Sequence, residues 1–118
     1  MGISTQALAV QALMSTTGVE VSTRLPDRDD RPDAFVVLSR IGGGSDDWAT
    51  KNPRFLVECY APDDVAAEIL ADDVWEAWQT LRTPPILWAT ADNNLAPYDN
   101  PDVDHRRFQF TAGLQLKR

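Results

Sequence analysis

Residues 53–81 contain a strand that passes directly into a long amphipathic helix, and this junction constrains the fold more than any other segment. Over residues 54–60 the side chains alternate, and one face carries Phe55, Val57 and Cys59. Pro62 is expected in the first helical turn, where its missing N–H costs nothing. Apolar residues then recur at helical spacing: Ala66, Ile69, Leu70, Val74, Trp78 and Leu81. A strand followed at once by a helix predicts a sheet with a helix packed on it.

The remaining segments predict a second helix and further strands. Ser4 or Thr5 is expected to cap a helix that ends near Ser15, before Gly18. Residues 42–47 read as a flexible Gly-rich tip that joins the second and third strands as a long antiparallel hairpin. Besides the strand at 54–60, strands are predicted near 19–23, 34–41, 86–91 and 107–117.

The order of these elements is α-β-β-β-α-β-β, which predicts an α+β fold. Its sheet would be mostly antiparallel, with four to five strands and two helices packed on it, and residues 1–118 would form a single domain. The last strand has the clearest alternation, with Phe108, Phe110, Ala112, Leu114 and Leu116 pointing inward. In the strand before it, one face is predicted to carry Ile86, Trp88 and Thr90.

Composition excludes several classes of function. The formal net charge is −7, from 11 basic and 18 acidic residues, and the basic residues are scattered apart from the pairs Arg106-Arg107 and Lys117-Arg118, so binding of nucleic acid through phosphate neutralisation is disfavoured. The single cysteine, Cys59, excludes an internal disulfide framework. No apolar run reaches the length of a membrane span and the N-terminus lacks the features of a signal peptide, so a cytosolic product is expected.

Candidate catalytic and metal sites are weak. The only thiol and imidazole are Cys59, at an inward strand position, and His105, which is expected to be solvated, so a nucleophilic pair is disfavoured. Acidic doublets such as Asp46-Asp47 do not follow the alternate spacing of calcium loops. The Gly42-Gly43-Gly44 run lacks the Lys that a phosphate-binding loop requires. The sequence therefore predicts no enzyme activity, no cofactor and no metal.

Four tryptophans are many for a chain of this length. Most are expected in the core. Trp75 lies at the edge of the apolar stripe of the second helix, so it is a candidate anchor for a subunit interface, with core packing as the alternative.

Five segments in succession resemble the tail terminator proteins of long-tailed bacteriophages, especially those that infect actinobacteria. The similarity spans about residues 20 to 116 and rests on the order of the segments rather than on one motif. They are Phe35–Gly44 (FVVLSRIGGG), Arg54–Ala61 (RFLVECYA), Ala66–Ala71 (AAEILA), Asn94–Asp99 (NLAPYD) and Arg107–Thr111 (RFQFT).

This resemblance implies a structural virion protein at the junction between tail and neck, made in the host cytoplasm. Such a protein caps the head-proximal end of the tail tube as a homohexameric ring and stops tube polymerisation. Its implied partners are copies of itself, the major tail tube protein and a neck or head-closure protein. Genome DNA would pass through the lumen without specific binding, and acidic residues such as Asp46, Asp47, Asp102 and Asp104 are hypothesised to line it.

Two polar loops, 42–52 and 92–104, are predicted to form interfaces because they are long and poorly suited to a core. The alternatives to a terminator are another connector ring, such as a head-closure or stopper protein, and, from a different class, a small α+β ligand-binding domain. A cysteine-dependent hydrolase would require a reactive Cys59. The candidate interface residues are Gly42, Gly43, Gly44, Asp46, Asp47, Trp48, Trp75, Leu95, Tyr98 and Asp99.

Overall fold

The computed structural model describes residues 4–43, 46–99 and 104–118, and these form an α+β fold, as predicted. Two α-helices and a mostly antiparallel sheet account for nearly all of the regular structure. In chain order the elements are α1 (Thr5–Thr17), β1 (Val21–Ser22), a 3-10 turn (Arg28–Asp30), β2 (Phe35–Gly43), β3 (Thr50–Lys51), β4 (Pro53–Ala61), α2 (Asp64–Trp78), β5 (Ile86–Ala91), β6 (Ala96–Tyr98) and β7 (Arg106–Lys117).

The long strand β7 organises the sheet. Along one side it pairs antiparallel with β4 and, near its C-terminal end, with the short β3. Along the other side it pairs antiparallel with β5 and β6. Beyond β4 lies β2, also antiparallel, and the two-residue β1 runs parallel to it at the edge. The predicted hairpin between the second strand and the strand at 54–60 is therefore confirmed as the β2–β4 pair.

Both helices cover the same face of the sheet, because their buried side chains belong to one cluster with the inward residues of the strands. Ser4 and Gly18 bound α1 as predicted: the Ser4 hydroxyl accepts from the Ala7 N–H, and Gly18 has a φ of 72°. In the core, Trp78 packs edge-on against Phe55. The predicted inward residues of the last strand are confirmed as buried, with Phe108 half-buried at its start.

The described residues form seven strands, so the prediction of four to five was too low. The additional strands, β3 and β6, lie in the two loops that the sequence predicted to be irregular. Each is only two or three residues long, and each takes its partner from the distant β7. Segments this short are too brief to show the alternation of apolar and polar residues that predicts a strand. Pro97 in β6 also argues against a strand when only the sequence is considered.

The start and the buried face of α2 also differ from the prediction. Strand β4 stays paired with β7 through Ala61, so Pro62 precedes the helix and Asp63 caps it by accepting from the Ala66 N–H. Ile69, predicted on the buried face, is 57% exposed. The buried positions are Ala67, Ala71, Val74 and Trp78. The small side chains of the alanines allow the backbone of α2 to approach the sheet closely. The buried face of the helix is therefore rotated relative to the face predicted from its bulky apolar residues.

Strand β5 differs from its predicted face because its register with β7 shifts between Ile86 and Trp88. The irregularity places one extra residue in β5, so the side chains after it point to the opposite face from the one that strict alternation predicts. Ala89 is consequently buried beside Ile86, whereas Trp88 is 55% exposed and lies under the Arg82 guanidinium.

Candidate functional site: a turn and a groove at opposite ends of the sheet

The segment between β2 and β4 forms a hydrogen-bonded turn over residues 46–51. The flexibility of the tip at residues 42–47 stays a prediction. The Asp47 carboxylate accepts from the backbone N–H groups of Ala49 and Thr50, at 2.8 and 2.7 Å, and from the Thr50 hydroxyl. These backbone donors lower the pKa of Asp47, so its charged form is the one that holds the turn. The Arg118 N–H donates to the Ala49 carbonyl, which ties the turn to the C-terminus.

Asp46 fixes the other side of the same turn. Its carboxylate accepts from the Asn52 backbone N–H at 2.8 Å and lies 3.6 Å from the Arg118 guanidinium. Both acidic residues of this doublet therefore act as local structure-holding groups, with chemistry suited to capping backbone donors rather than to binding a metal.

Trp48 projects from this turn and is 91% exposed, the highest exposure among the large hydrophobic residues described. An indole left in water on a turn fixed by several hydrogen bonds is an unusual arrangement, because burying such a side chain is favourable by about 2 kcal/mol or more. Trp48, with Asp46 and Asp47, is here called the Trp48 turn.

The glycines that lead into this turn are part of β2. Gly42 has a φ of 134°, a conformation that side chains rarely adopt, and it follows a register shift after Arg40. Gly43 pairs with Pro53. The sequence also named Gly44 as a candidate interface residue, and Gly44 lies outside the described residues.

A groove of about 690 Å³ opens at the other end of the sheet, where β6, the start of β7 and the start of α2 meet. Tyr98, 49% exposed, supplies an aromatic wall, and the Arg106 side chain, 54% exposed, reaches Asp64 only at 3.6 Å. We call this the Tyr98 groove, and it is lined by Asp64, Pro97, Tyr98, Asp99, Arg106, Arg107 and Phe108.

Hydrogen bonds hold the floor of the Tyr98 groove in place. Arg107 donates to the Glu58 carboxylate at 3.0 Å and to the Asp99 backbone carbonyl at 2.8 Å. The Tyr60 hydroxyl donates to the same Glu58 carboxylate at 3.1 Å. Burial, and then the Glu58 charge, raise the pKa of Tyr60, so its phenol stays protonated and donating at neutral pH.

Trp75 and Leu95 lie between these two ends rather than within either. The Trp75 ring is half-buried against the core, and its Nε1–H donates to the Asp92 carbonyl at 2.9 Å. Asp92 is itself paired with Arg54 and accepts from the Thr111 hydroxyl. Leu95 is half-buried against the same core. Trp75 thus joins α2 to the turn after β5, while its role in an interface stays a prediction.

Cys59 is fully buried, as predicted, and burial followed by the Glu58 charge raises the pKa of its thiol. A neutral thiol without access to solvent is a poor nucleophile. His105 was predicted to be solvated, but it is half-buried, with its Nε2 3.3 Å from the Pro32 carbonyl and its ring edge-on to Phe35. The long 24–34 loop covers it, which local sequence did not indicate.

Among residues 4–43, 46–99 and 104–118, no three His, Cys, Asp or Glu side chains lie close enough to hold a metal ion. Within the same ranges, no helix is both long and apolar enough to cross a membrane.

Two groove residues, Arg106 and Phe108, were missed as site candidates. The sequence did mark Arg106-Arg107 as an adjacent basic pair, and Phe108 as an inward residue. The pairing of β6 with β7 brings these residues to the same end of the sheet as Tyr98, and it aligns Tyr98 with Arg107 and Pro97 with Phe108. No sequence pattern predicted that pairing.

A scan against protein-family models and a search of curated proteins found no match to the sequence. Among solved structures, the fold is similar to that of a chain from the virion of a native gene transfer agent particle. The TM-score is 0.60 at 15% sequence identity, and the alignment covers 95% of this chain and 91% of that chain. At this identity the similarity shows the fold.

Proposed function

We propose that this chain is a structural protein of a phage-like virion, and more specifically a tail terminator. In this role, copies of the chain form a ring, which the sequence resemblance implies to be a homohexamer, on the head-proximal end of the tail tube. The ring stops addition of tube subunits and offers its other surface to the neck.

The observation that carries this proposal is the fold similarity along the whole chain. The similar chain comes from the virion of a gene transfer agent, and almost the full length of both chains aligns. A match of this extent concerns the complete architecture of both chains and not a shared fragment. It supports a virion role independently of the sequence resemblance to tail terminators, which rests on the succession of five segments.

The exposed side chains support action through interfaces. Trp48, Trp88 and Tyr98 are large aromatic residues whose exposed fractions in the isolated chain are 91%, 55% and 49%. They lie on the Trp48 turn, on β5 and on β6, as expected for a protein that contacts neighbours on several sides. A head-to-tail ring requires different surfaces on the two sides of each subunit, and exposed aromatic residues on different elements support this proposal.

The proposal includes no catalytic step. The thiol of Cys59 is buried, and His105 is packed against Phe35, so neither is disposed to react with a substrate. The net charge of −7 per chain fits a ring through which DNA passes without binding, because an acidic wall repels phosphates.

Tube polymerisation in vitro tests the proposal. The purified chain is added to its cognate tail tube protein during assembly, and tube length is measured by negative-stain microscopy. A terminator shortens the tubes in proportion to its concentration and remains bound at one end. A head-closure or stopper protein leaves tube length unchanged and binds the neck components instead, and that result would reject the terminator assignment. A matched control is the chain after thermal unfolding, which removes the interfaces at constant composition.

A further inference from the structure

We infer that a depression on the helix-free face of the sheet, the face opposite α1 and α2, binds a carboxylate group through Arg54 and Thr90. The carboxylate is that of a free acid or of an acidic side chain on a neighbouring protein. This site is separate from the Trp48 turn and the Tyr98 groove, and it does not depend on the ring assembly proposed above.

The two donor side chains lie in one row across three strands. Arg54 on β4 and Thr90 on β5 are both paired with Gly113 of β7, the strand between them, so their side chains point to the same face. The next residues along the strands, Phe55 and Ala112, belong to the core under the helices. The row therefore lies on the helix-free face.

A depression of about 260 Å³ opens beside this row. Trp88 and Gln115, a cross-strand pair two residues further along β5 and β7, also line it. The Arg82 guanidinium lies over the Trp88 ring, 4.2 Å from its centroid. This contact holds the indole in place, so the ring is a fixed aromatic wall for the apolar part of a ligand.

Gly113 is what allows the two donors to converge. Its φ is not positive, so the backbone does not require glycine there, and glycine inside a strand normally weakens the strand. A Cβ atom at this position would lie 2.7 Å from Arg54 Nη1 and 3.4 Å from Thr90 Oγ1. The absence of a side chain therefore lets the guanidinium lie directly over β7, close to the hydroxyl.

Arg54 can accept a second carboxylate while it keeps its first. Its Nη2 donates to Asp92, which also accepts from the Thr111 hydroxyl. Its Nη1 instead lies over Gly113, which lines the depression. A guanidinium carries five N–H donors, so one edge can pair with Asp92 and another with a ligand. Because Asp92 already balances one positive charge, the site suits a singly charged carboxylate better than a phosphate dianion.

The surroundings of the depression attract an anion although the chain as a whole is acidic. None of the described residues that line it carries a carboxylate, in a chain with a net charge of −7. Of the carboxylates nearby, Asp92 is paired with Arg54 and Asp46 with Arg118. Lys117 lies on the same face of β7 two residues beyond Gln115 and is exposed, so it adds a positive charge to this region.

An NMR titration of the full chain with phenylacetate tests the site. The Gly113 amide and the Trp88 indole N–H should shift and reach saturation. Phenylacetamide, the neutral analogue, should bind at least about tenfold more weakly because it cannot form a charge-assisted pair with the guanidinium. Inorganic phosphate should also bind more weakly than phenylacetate.

Two variants and two matched controls assign the binding to these donors. Arg54→Gln should weaken phenylacetate binding at least about tenfold, and Thr90→Val about threefold. Thr90 is exposed, so its variant should fold even if loss of the Arg54–Asp92 pair destabilises the other one. Arg24→Gln and Thr23→Val make the same changes at exposed positions elsewhere and should bind like the unaltered chain.

Three results would overturn the inference. They are the lack of saturable phenylacetate binding, equal or tighter binding of phenylacetamide or phosphate, and unchanged binding in both variants. A further measurement identifies the source of the carboxylate. If saturating phenylacetate separates the chain from its own copies or from tail tubes, the carboxylate belongs to a neighbouring protein; if assembly is unchanged, it belongs to a free acid. Because binding is measured on the chain alone, its failure would leave the terminator proposal intact.

Discussion

Trp78 and Trp48 have the same side chain in opposite surroundings, and the contrast separates what holds this fold together from what is available for contact. Trp78 is 0% exposed, donates its Nε1–H to the Gly113 carbonyl at 3.1 Å, and packs on Phe55. Trp48 is 91% exposed on its hydrogen-bonded turn. The first region is stabilised by apolar burial and the second by backbone capping, so substitutions in the two should affect different measurements.

Trp78→Ala should have the largest effect on the free energy of unfolding, and it tests the buried member of this pair of tryptophans. It removes a fully buried indole together with its hydrogen bond to the Gly113 carbonyl, and it leaves a cavity against Phe55. The free energy of unfolding should fall by about 3–5 kcal/mol, measured by urea denaturation. Trp78→Phe, which keeps most of the apolar volume, should lose less. A loss below 1 kcal/mol for Trp78→Ala would mean that the core does not depend on this residue.

Glu58→Ala should have the next largest effect, because it removes the acceptor shared by Arg107 and Tyr60 on the helix-free face of the sheet. The side chains of Arg107 and Glu58 are mostly buried, so a guanidinium that keeps its bond to the Asp99 carbonyl but has lost its carboxylate should cost about 2 kcal/mol of unfolding free energy. Loss of the Glu58 charge should also lower the pKa of Tyr60, since that charge is one cause of its elevation. Ultraviolet titration of the phenol measures the second effect, and Glu76→Ala on the exposed side of α2 is the matched control.

Asp63→Ala should destabilise the protein by about 1 kcal/mol, because the cap of α2 loses its bond to the Ala66 N–H. Asp63→Ser retains a capping oxygen and should recover most of that loss in the same denaturation experiment. Equal losses for the two variants would indicate that the cap bond is not the cause.

Much of this core arrangement could be predicted from sequence, because it follows from periodicity. The alternation of β7 and of residues 54–60 placed Phe55, Phe110 and Leu114 correctly, and the helix between them followed from Val74 and Trp78. The error at Ile69 arose because the helix approaches the sheet through Ala67 and Ala71, and hydrophobicity alone does not weigh such small side chains.

The candidate site was predictable only in part. Its two loops were identified by their polar composition, and Trp48 and Tyr98 were named within them. Their separation to opposite ends of β7, and the presence of Arg106 in the groove, depend on pairings of β3 and β6 with β7. These pairings are long-range and involve segments too short to carry a pattern, so sequence reasoning could not supply them.

Acidification should release the Trp48 turn while the core remains folded. The pKa of Asp47 is lowered in the folded chain by the N–H donors of Ala49 and Thr50. Its contribution is therefore fully present above the ordinary aspartate pKa of about 3.9 and is lost as the pH falls through the lower folded value. Amide chemical shifts of Ala49 and Thr50 should change over that range, and in Asp47→Ala they should be shifted already at neutral pH. Unchanged amide shifts in that variant would contradict this account of the turn.

Trp48→Ala should have the smallest effect on stability, within about 0.5 kcal/mol, because the indole contacts little of its own chain. Urea denaturation of both variants should therefore show almost no change in unfolding free energy for Trp48→Ala and a large loss for Trp78→Ala. A loss above 2 kcal/mol would instead show that Trp48 contributes to the fold.

The central claim is that copies of this chain act together as a ring on the end of a tail tube. Class averages of the purified protein, imaged by negative stain alone and with tail tubes, test it most directly. The account predicts a closed six-fold ring seated on one end of each tube. Bare tube ends, together with single chains at every concentration, would contradict it.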